Sequence, residues 1–263
     1  MIKLIVSDMD GTLLNDEKKI APGFYDLLPR LKERGIRFVV ASGRQYPSLK
    51  QDFAEHIRDV AVIAENGAFI VEDGRELYFR GMNEKQLNCC LDAVAAMPEV
   101  EPLLCAKYCA YTSSREMYEL LAAPKFHYEM RLVDSLYGIT KDVTKVSLIE
   151  YSGVGAEACY QKLAPMLPED VTLVVSGDGC LDTGLKGVHK GAAVAQLQKM
   201  WNITPEETVV FGDQFNDVEM FSQAAYSYAM ENAVPQVRRQ ARFVAGSNND
   251  GAVVKVIREL LAL

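Results

Sequence analysis

The pattern that most constrains this chain is an alternation. Short apolar runs, read as strands buried on both faces, are separated by helical segments of about 10–15 residues, which specifies βαβ units and a parallel sheet. Residues 2–6 form the first run, which ends in the polar, glycine-containing loop Ser7-Asp8-Met9-Asp10-Gly11-Thr12. A helical stretch follows in which Tyr25, Leu28 and Leu31 recur at spacings of three; Gly35 caps it, and residues 36–41 make a second strand. Residues 48–57 read as helix and 60–64 as a third strand. Beyond Ala68 the rhythm changes, because residues 69–71 and 77–79 flank Asp73-Gly74, a hairpin signal.

From about Met82 to Gly184, helical segments at 84–97, 115–123 and 155–167 alternate with strand-like runs near 103–112, 143–151, 171–176 and 180–183. The first rhythm then resumes, with helices at 189–201, 217–223 and 251–261 and strands at 208–211, 226–230 and 242–244. Thr204-Pro205-Glu206-Glu207 carries the cap, proline and glutamate of a short helix start. The expected fold is therefore α/β: a Rossmann-like parallel-sheet core with helices on both faces, built from residues 1–81 and 185–263. An α+β unit, residues 82–184, is inserted into it.

Composition limits the function. With 263 residues, 49% hydrophobic and 24% charged, there is material for a core and no bias toward disorder. The net charge of −8 argues against a nucleic-acid footprint or a basic membrane face and leaves room for a local pocket that takes a small anion. No apolar stretch approaches the roughly 20 residues of a bilayer-spanning helix. Asp8 also interrupts the first run too early for a signal peptide, so a cytoplasmic protein is expected. The six cysteines (89, 90, 105, 109, 159 and 180) show no C-x-x-C spacing and read as reduced thiols, with 89, 90, 105 and 109 buried as small hydrophobes. The three histidines (56, 127 and 189) are far apart and form no metal frame. Nothing in the pattern fixes an oligomeric state.

Open parallel sheets bind ligands beyond the carboxyl ends of their strands. That rule selects Asp8 to Thr12, Ser42-Gly43-Arg44, Lys190 at a helix start, and Gly212-Asp213-Gln214-Phe215-Asn216-Asp217. Carboxylates crowded at one edge repel one another unless a cation sits among them, and oxygen donors without a soft ligand suit Mg²⁺, which favours phosphate as a companion. Lys190, Ser42 and Asn216 supply a cation and donors for phosphoryl oxygens. Asp8 is then placed to attack as a nucleophile, and Asp10, two residues on, to protonate a leaving oxygen. Each motif alone has a plainer reading: a turn for Ser42 to Arg44, a solvated lysine for Lys190, a helix cap for Asn216 or Asp217, a surface ion pair for Arg44. Four such motifs in order at strand ends favour the chemical reading.

These motifs resemble those of the haloacid dehalogenase-like phosphohydrolases, and specifically the Cof-type branch. D-x-D-G-T matches Asp8 to Thr12, the hydroxyl motif Ser42, the lysine motif Gly187-Val188-His189-Lys190-Gly191, and G-D-x-x-N-D Gly212 to Asp217. Glu65-Asn66-Gly67-Ala68, Asn248-Asn249-Asp250-Gly251 and a large inserted cap are further landmarks of the branch, and the resemblance spans the chain. His189 stands where a small residue is commoner, and Ser42 where Thr often carries the hydroxyl.

The resemblance implies Asp8 as nucleophile and Asp10 as acid, then as base for the water that hydrolyses a phospho-aspartate. It implies Mg²⁺ held by Asp8, the Asp10 carbonyl and Asp213, with Asp217 a ligand or one contact removed, and phosphate held by Ser42, Gly43, Lys190 and Asn216. The expected partner is a small phosphorylated metabolite, a sugar phosphate or similar monoester, chosen by cap residues near 108–114 and 175–182. The alternatives are a phosphotransferase or mutase sharing the first half-reaction, and a phospho-aspartate signalling module, which would need no acid at Asp10.

Overall fold

A computed structural model describes residues 1–123, 128–177 and 179–262; His127 and residue 178 of the 175–182 region lie outside them. The chain forms two compact units, Met1–Arg44 with Phe53–Tyr78 and His189–Leu263, and Gln45–Asp52 with Phe79–Val188.

In the first unit, β1 (Leu4–Asp8) is buried at all five positions, so the strand continues past its apolar run to the buried polar residues Ser7 and Asp8. It pairs in parallel with β2 (Arg37–Ala41), which pairs in parallel with β3 (Ala61–Ala64). The antiparallel β4 (Phe69–Glu72) and then β5 (Arg75–Phe79) complete that side. The turn between them carries Asp73 and Gly74 at φ +48° and +72°, the left-handed pair that a tight hairpin demands.

Helices cover both faces. The helix α1 (Phe24–Glu33) buries Phe24, Leu27, Leu28 and Leu31, and the Phe24 ring meets Phe38 edge-on at 5.0 Å. On the opposite face, Val39 joins a core with Ala193, Val194 and Leu197 of the late helix Lys190–Trp201.

The helix α2 (Tyr46–Phe53) opens a segment, residues 45–52, that packs with the second unit although it precedes the insertion in sequence. The Tyr46 ring lies edge-on to Tyr108 of that unit at 6.2 Å. The second unit continues with α3 (Glu84–Ala95), β6 (Val100–Ala106), β7 (Ala110–Thr112), α4 (Arg115–Leu121), β8 (Met130–Leu132), β9 (Val143–Glu150), α5 (Ala156–Leu163), β10 (Val171–Gly177) and β11 (Cys180–Leu185). Its sheet has the order β10-β11-β9-β6-β7-β8, antiparallel except for the last pair. Strand β9 alternates: Val146 and Leu148 are buried with Leu87, Leu91 and Leu163 of the helices, whereas Lys145, Ser147 and Ile149 on the other face are half-buried. The expected strand at 103–112 is two strands, and β8 is too short for a period-two signal to register.

The first unit resumes with α6 (Lys190–Trp201), β12 (Thr208–Gly212), α7 (Val218–Phe221), β13 (Tyr226–Ala229), α8 (Pro235–Arg238), β14 (Phe243–Val244) and α9 (Ala252–Leu261). Its sheet order is β14-β13-β12-β1-β2-β3-β4-β5. All six cysteines are thiols outside any disulfide; Cys90, Cys105, Cys109 and Cys159 are buried, while Cys89, expected inside, and Cys180 are half-buried. Among the described residues no helix is long and apolar enough to cross a membrane.

Candidate active site

Strand register brings the motifs to one edge. Asp8 lies opposite Ala41 on β2, and Ser7 opposite Phe211 on β12. Asp8, Ser42 and Asp213 therefore leave adjacent parallel strands at their carboxyl ends. The chain proceeds from β1 to β2 on one side and to β12 on the other, so this is the switch point at which such sheets bind ligands. The β1 loop turns through Gly11 at φ +77°, where a Cβ would stand 2.5 Å from the Asp213 carboxylate, so only glycine lets these two loops approach.

A buried charge cluster occupies this edge. The Lys190 ammonium, 1% exposed, donates to Asp8 Oδ1 at 2.5 Å and Asp217 Oδ1 at 2.7 Å. His189 caps the helix that carries it, its Nδ1 accepting the Ala192 N–H at 3.2 Å. The other Asp217 oxygen accepts the backbone N–H groups of Asp213 and Gln214 at 2.9 and 3.0 Å, folding the loop back on itself. Asp213 accepts the Thr12 hydroxyl at 2.7 Å and the Gln214 amide at 3.1 Å.

Asp8, Asp213 and Asp217, all buried, each present a carboxylate oxygen within 4.8 Å of the others. One ammonium does not balance three carboxylates. Burial pushes the Asp8 carboxyl well above its ordinary range, and Asp217 and Asp213 push it further against the pull of Lys190. Burial also raises Asp213, with Asp217 adding to it while Thr12 pulls the other way. Lys190 is held charged: burial works against its charge, and the two carboxylates more than restore it. A dry set of hard oxygen donors with surplus negative charge fits a divalent cation.

Asp10 faces different partners. Its carboxylate is clamped by Arg44, whose Nε donates to Oδ2 at 2.7 Å and whose terminal nitrogen reaches Oδ1, and by Lys18 at 2.7 Å. Burial raises the Asp10 carboxyl, but the hydrogen bonds and charges of Arg44 and Lys18 outweigh it and hold the group below the usual carboxylate range. Arg44 thus makes the ion pair weighed as its plainer role. Its backbone N–H also donates to Ser42 Oγ at 3.2 Å.

Asn216 is exposed and caps no helix; its amide donates to Asn66 Oδ1 at 3.0 Å. Gln214, not Asn216, closes the capping box with Asp217. The structure thus gathers Asp8, Lys190, Asp213 and Asp217 directly, sets Ser42 at the neighbouring strand end, and turns Asp10 to Arg44 and Asn216 to Asn66. Sequence reasoning missed the parts played by Thr12, Lys18, Asn66 and Gln214. Thr12 and Gln214 lie inside the recognised motifs, and the pairing of Asn66 with Gly67 was the one local signal of a special turn there.

Residues 5–257 match the family described as haloacid dehalogenase-like hydrolase. The 5-amino-6-(5-phospho-D-ribitylamino)uracil phosphatase YbjI of Escherichia coli is 36% identical, covering 99% of this chain and 96% of that protein. The HMP-PP phosphatase of Klebsiella pneumoniae is 29% identical, over 91% of this chain and 88% of its own. Among solved structures, SMU.1108c from Streptococcus mutans matches with a TM-score of 0.88 at 31% identity, with both chains covered in full. The chain belongs to the haloacid dehalogenase-like hydrolases and is a phosphatase of that family.

Proposed function

We propose that the protein is a Mg²⁺-dependent phosphomonoesterase that hydrolyses a small phosphorylated metabolite through a phospho-aspartate at Asp8. The observation that carries this reading is the buried contact of Lys190 with both Asp8 and Asp217, 2.5 and 2.7 Å long, beside Asp213. A buried lysine so placed cancels part of the charge that would otherwise repel a phosphate from a nucleophilic carboxylate.

Asp8, Asp213 and Asp217, with the Asp10 carbonyl, are the groups that would hold Mg²⁺, which when bound supplies positive charge to phosphoryl oxygens and screens Asp8 from them. Asp8 forms a bond to phosphorus as the bond to the leaving oxygen breaks, and Asp10 delivers a proton to that oxygen. Asp10, now a carboxylate, takes a proton from water as the water oxygen attacks phosphorus and Asp8 departs, releasing inorganic phosphate. Ser42, Gly43, Lys190 and Asn216 hold the phosphate oxygens. The clamp of Arg44 and Lys18 favours the carboxylate form of Asp10, the form that the second half-reaction requires. For the first, Asp10 must carry a proton and loosen that clamp.

In this reading residues 1–81 and 185–263 perform the chemistry, and residues 82–184 choose the leaving group. Exposed apolar side chains of the second unit, Tyr108, Val174 and Val175, are candidates for that choice. The first substrate to test is the one for which the Escherichia coli relative is named, 5-amino-6-(5-phospho-D-ribitylamino)uracil, alongside sugar phosphates, nucleotides and pyridoxal phosphate. Phosphate release by the wild type should require Mg²⁺ and vanish in Asp8→Asn while the melting temperature is kept. Wild-type turnover in Asp8→Asn, or full activity in chelator, would overturn the reading.

A further inference from the structure

Glu65, Asn66 and Gly67 form a turn in which three successive residues have left-handed backbones, at φ +51°, +52° and +105°. Glycine takes this conformation freely, asparagine tolerates it and glutamate disfavours it, so the turn persists only because its surroundings impose it. Those surroundings are the loops of the phosphate site. The Glu65 N–H donates to the Arg44 carbonyl and the Asn66 N–H to the Ser42 carbonyl, both at 3.0 Å. A Cβ on Gly67 would stand 2.5 Å from the His189 carbonyl, so the turn abuts the start of the helix that carries Lys190. A Cβ on Gly43 would lie 3.1 Å from both amide atoms of Asn66. Asn66 Oδ1 accepts the Asn216 amide at 3.0 Å across 150 residues.

We propose that Asn66 is a positioning residue of the phosphate site: its backbone braces the Ser42–Arg44 loop, and its side chain orients the Asn216 amide without itself touching the reacting atoms. An exposed asparagine can turn either end of its amide toward a ligand, and the carbonyl end would repel a phosphate oxygen. By accepting from Asn216 Nδ2, Asn66 selects the NH₂ end and leaves its second N–H for an anion. The proposal rests on the phosphate site described above and adds to it the group that sets the orientation of Asn216.

The test measures inorganic phosphate binding by calorimetry with Mg²⁺ present, together with kcat and KM for p-nitrophenyl phosphate. Asn66→Gly keeps the backbone conformation available and removes the amide, so the melting temperature should hold. The net worth of one hydrogen bond corresponds to about a 3- to 10-fold weakening of phosphate binding, with KM rising in step and kcat nearly unchanged. In an Asn216→Ala background the same substitution should weaken binding no further, because its route through Asn216 is gone. An undiminished phosphate affinity in Asn66→Gly, or an equal loss in both backgrounds, would overturn the proposal. Should glycine loosen the turn, Asn66→Ala assayed in both backgrounds carries the same comparison. If the wild type binds phosphate with this coupling yet hydrolyses no phosphomonoester, the proposed reaction fails and the positioning role stands. If the wild type neither binds phosphate nor hydrolyses a phosphomonoester, both fall.

Discussion

Asp8, the last residue of β1, and Asp10, in the loop that follows, lie two residues apart, yet their surroundings differ in burial, charge and partners. Asp8 lies among Lys190, Asp213 and Asp217, where burial first and surplus negative charge second push its carboxyl up. Asp10, 37% exposed at its side chain, is held by Arg44 and Lys18, which draw its carboxyl down. Two neighbouring carboxyls with opposite shifts suit different tasks, which in the proposed reaction are those of a metal-supported nucleophile and a proton carrier. The local sequence is nearly symmetric, so the contrast comes from what tertiary structure places on each side.

The largest effect should come from removing the charge of Asp8: in Asp8→Asn, kcat should fall on the order of 10³-fold or more, measured as phosphate release, with little change in fold. If Asp10→Asn abolished turnover while Asp8→Asn spared it, the two roles would be exchanged.

Lys190→Met attacks the same side through its counter-ion. Stranding two buried carboxylates should cost about 3–5 kcal/mol in urea unfolding without metal. Restoring charge balance with Asp217→Asn in the same chain should recover part of it. A variant as stable as wild type would mean that the cluster is less charged than its geometry implies.

Metal binding should depend on pH through the Asp8 side. Asp8 and Asp213 have folded values above their ordinary range, so their contribution to the stability of the metal-free protein is complete in acid and is lost as pH rises through those raised values. A divalent cation engages the carboxylate forms. The rise in melting temperature on adding Mg²⁺ should therefore be larger at about pH 7.5 than at about pH 5. A shift independent of pH would place the ion elsewhere.

The smallest effect belongs to the Asp10 side. Arg44→Ala removes two hydrogen bonds and a charge that depress the Asp10 carboxyl, so the basic limb of kcat/KM, where Asp10 loses the proton that the first half-reaction needs, should move to higher pH. Stability that Asp10 gains from the pair is present above its unfolded value and lost as pH falls through its depressed folded value. Because Asp10 is a third exposed, that loss should be slight, and an unmoved basic limb would separate Arg44 from the proton carrier.

Much of this architecture was legible because its signals are local. Apolar runs marked β1, β2, β3 and β12, and the parallel-sheet rule directed attention to the polar residues that follow them. The Asp73-Gly74 turn named its own conformation. Short elements such as β8 and α8, with three and four residues, offer no period to read. Residues 45–52 look like an ordinary crossover helix in sequence, and their packing with the second unit, which includes the Tyr46–Tyr108 contact, leaves no local signal.

At the site, positions at strand ends could be singled out, but partnerships could not. That Asp10 faces Arg44, 34 residues away, and that Asn216 faces Asn66, 150 away, depends on how loops pack, which no periodicity encodes. His189, which departs from the commoner small residue, turns out to cap the helix of Lys190.

In the proposed reaction Asp8 becomes covalently phosphorylated. The most direct test is acid quenching of the enzyme during turnover, borohydride reduction of any acyl phosphate, and mass-spectrometric mapping of the reduced residue. Reduction at Asp8 is expected, appearing only when substrate is present. A burst of phosphate release with Asp8 unmodified, or modification at Asp10 or Asp213 instead, would contradict the account.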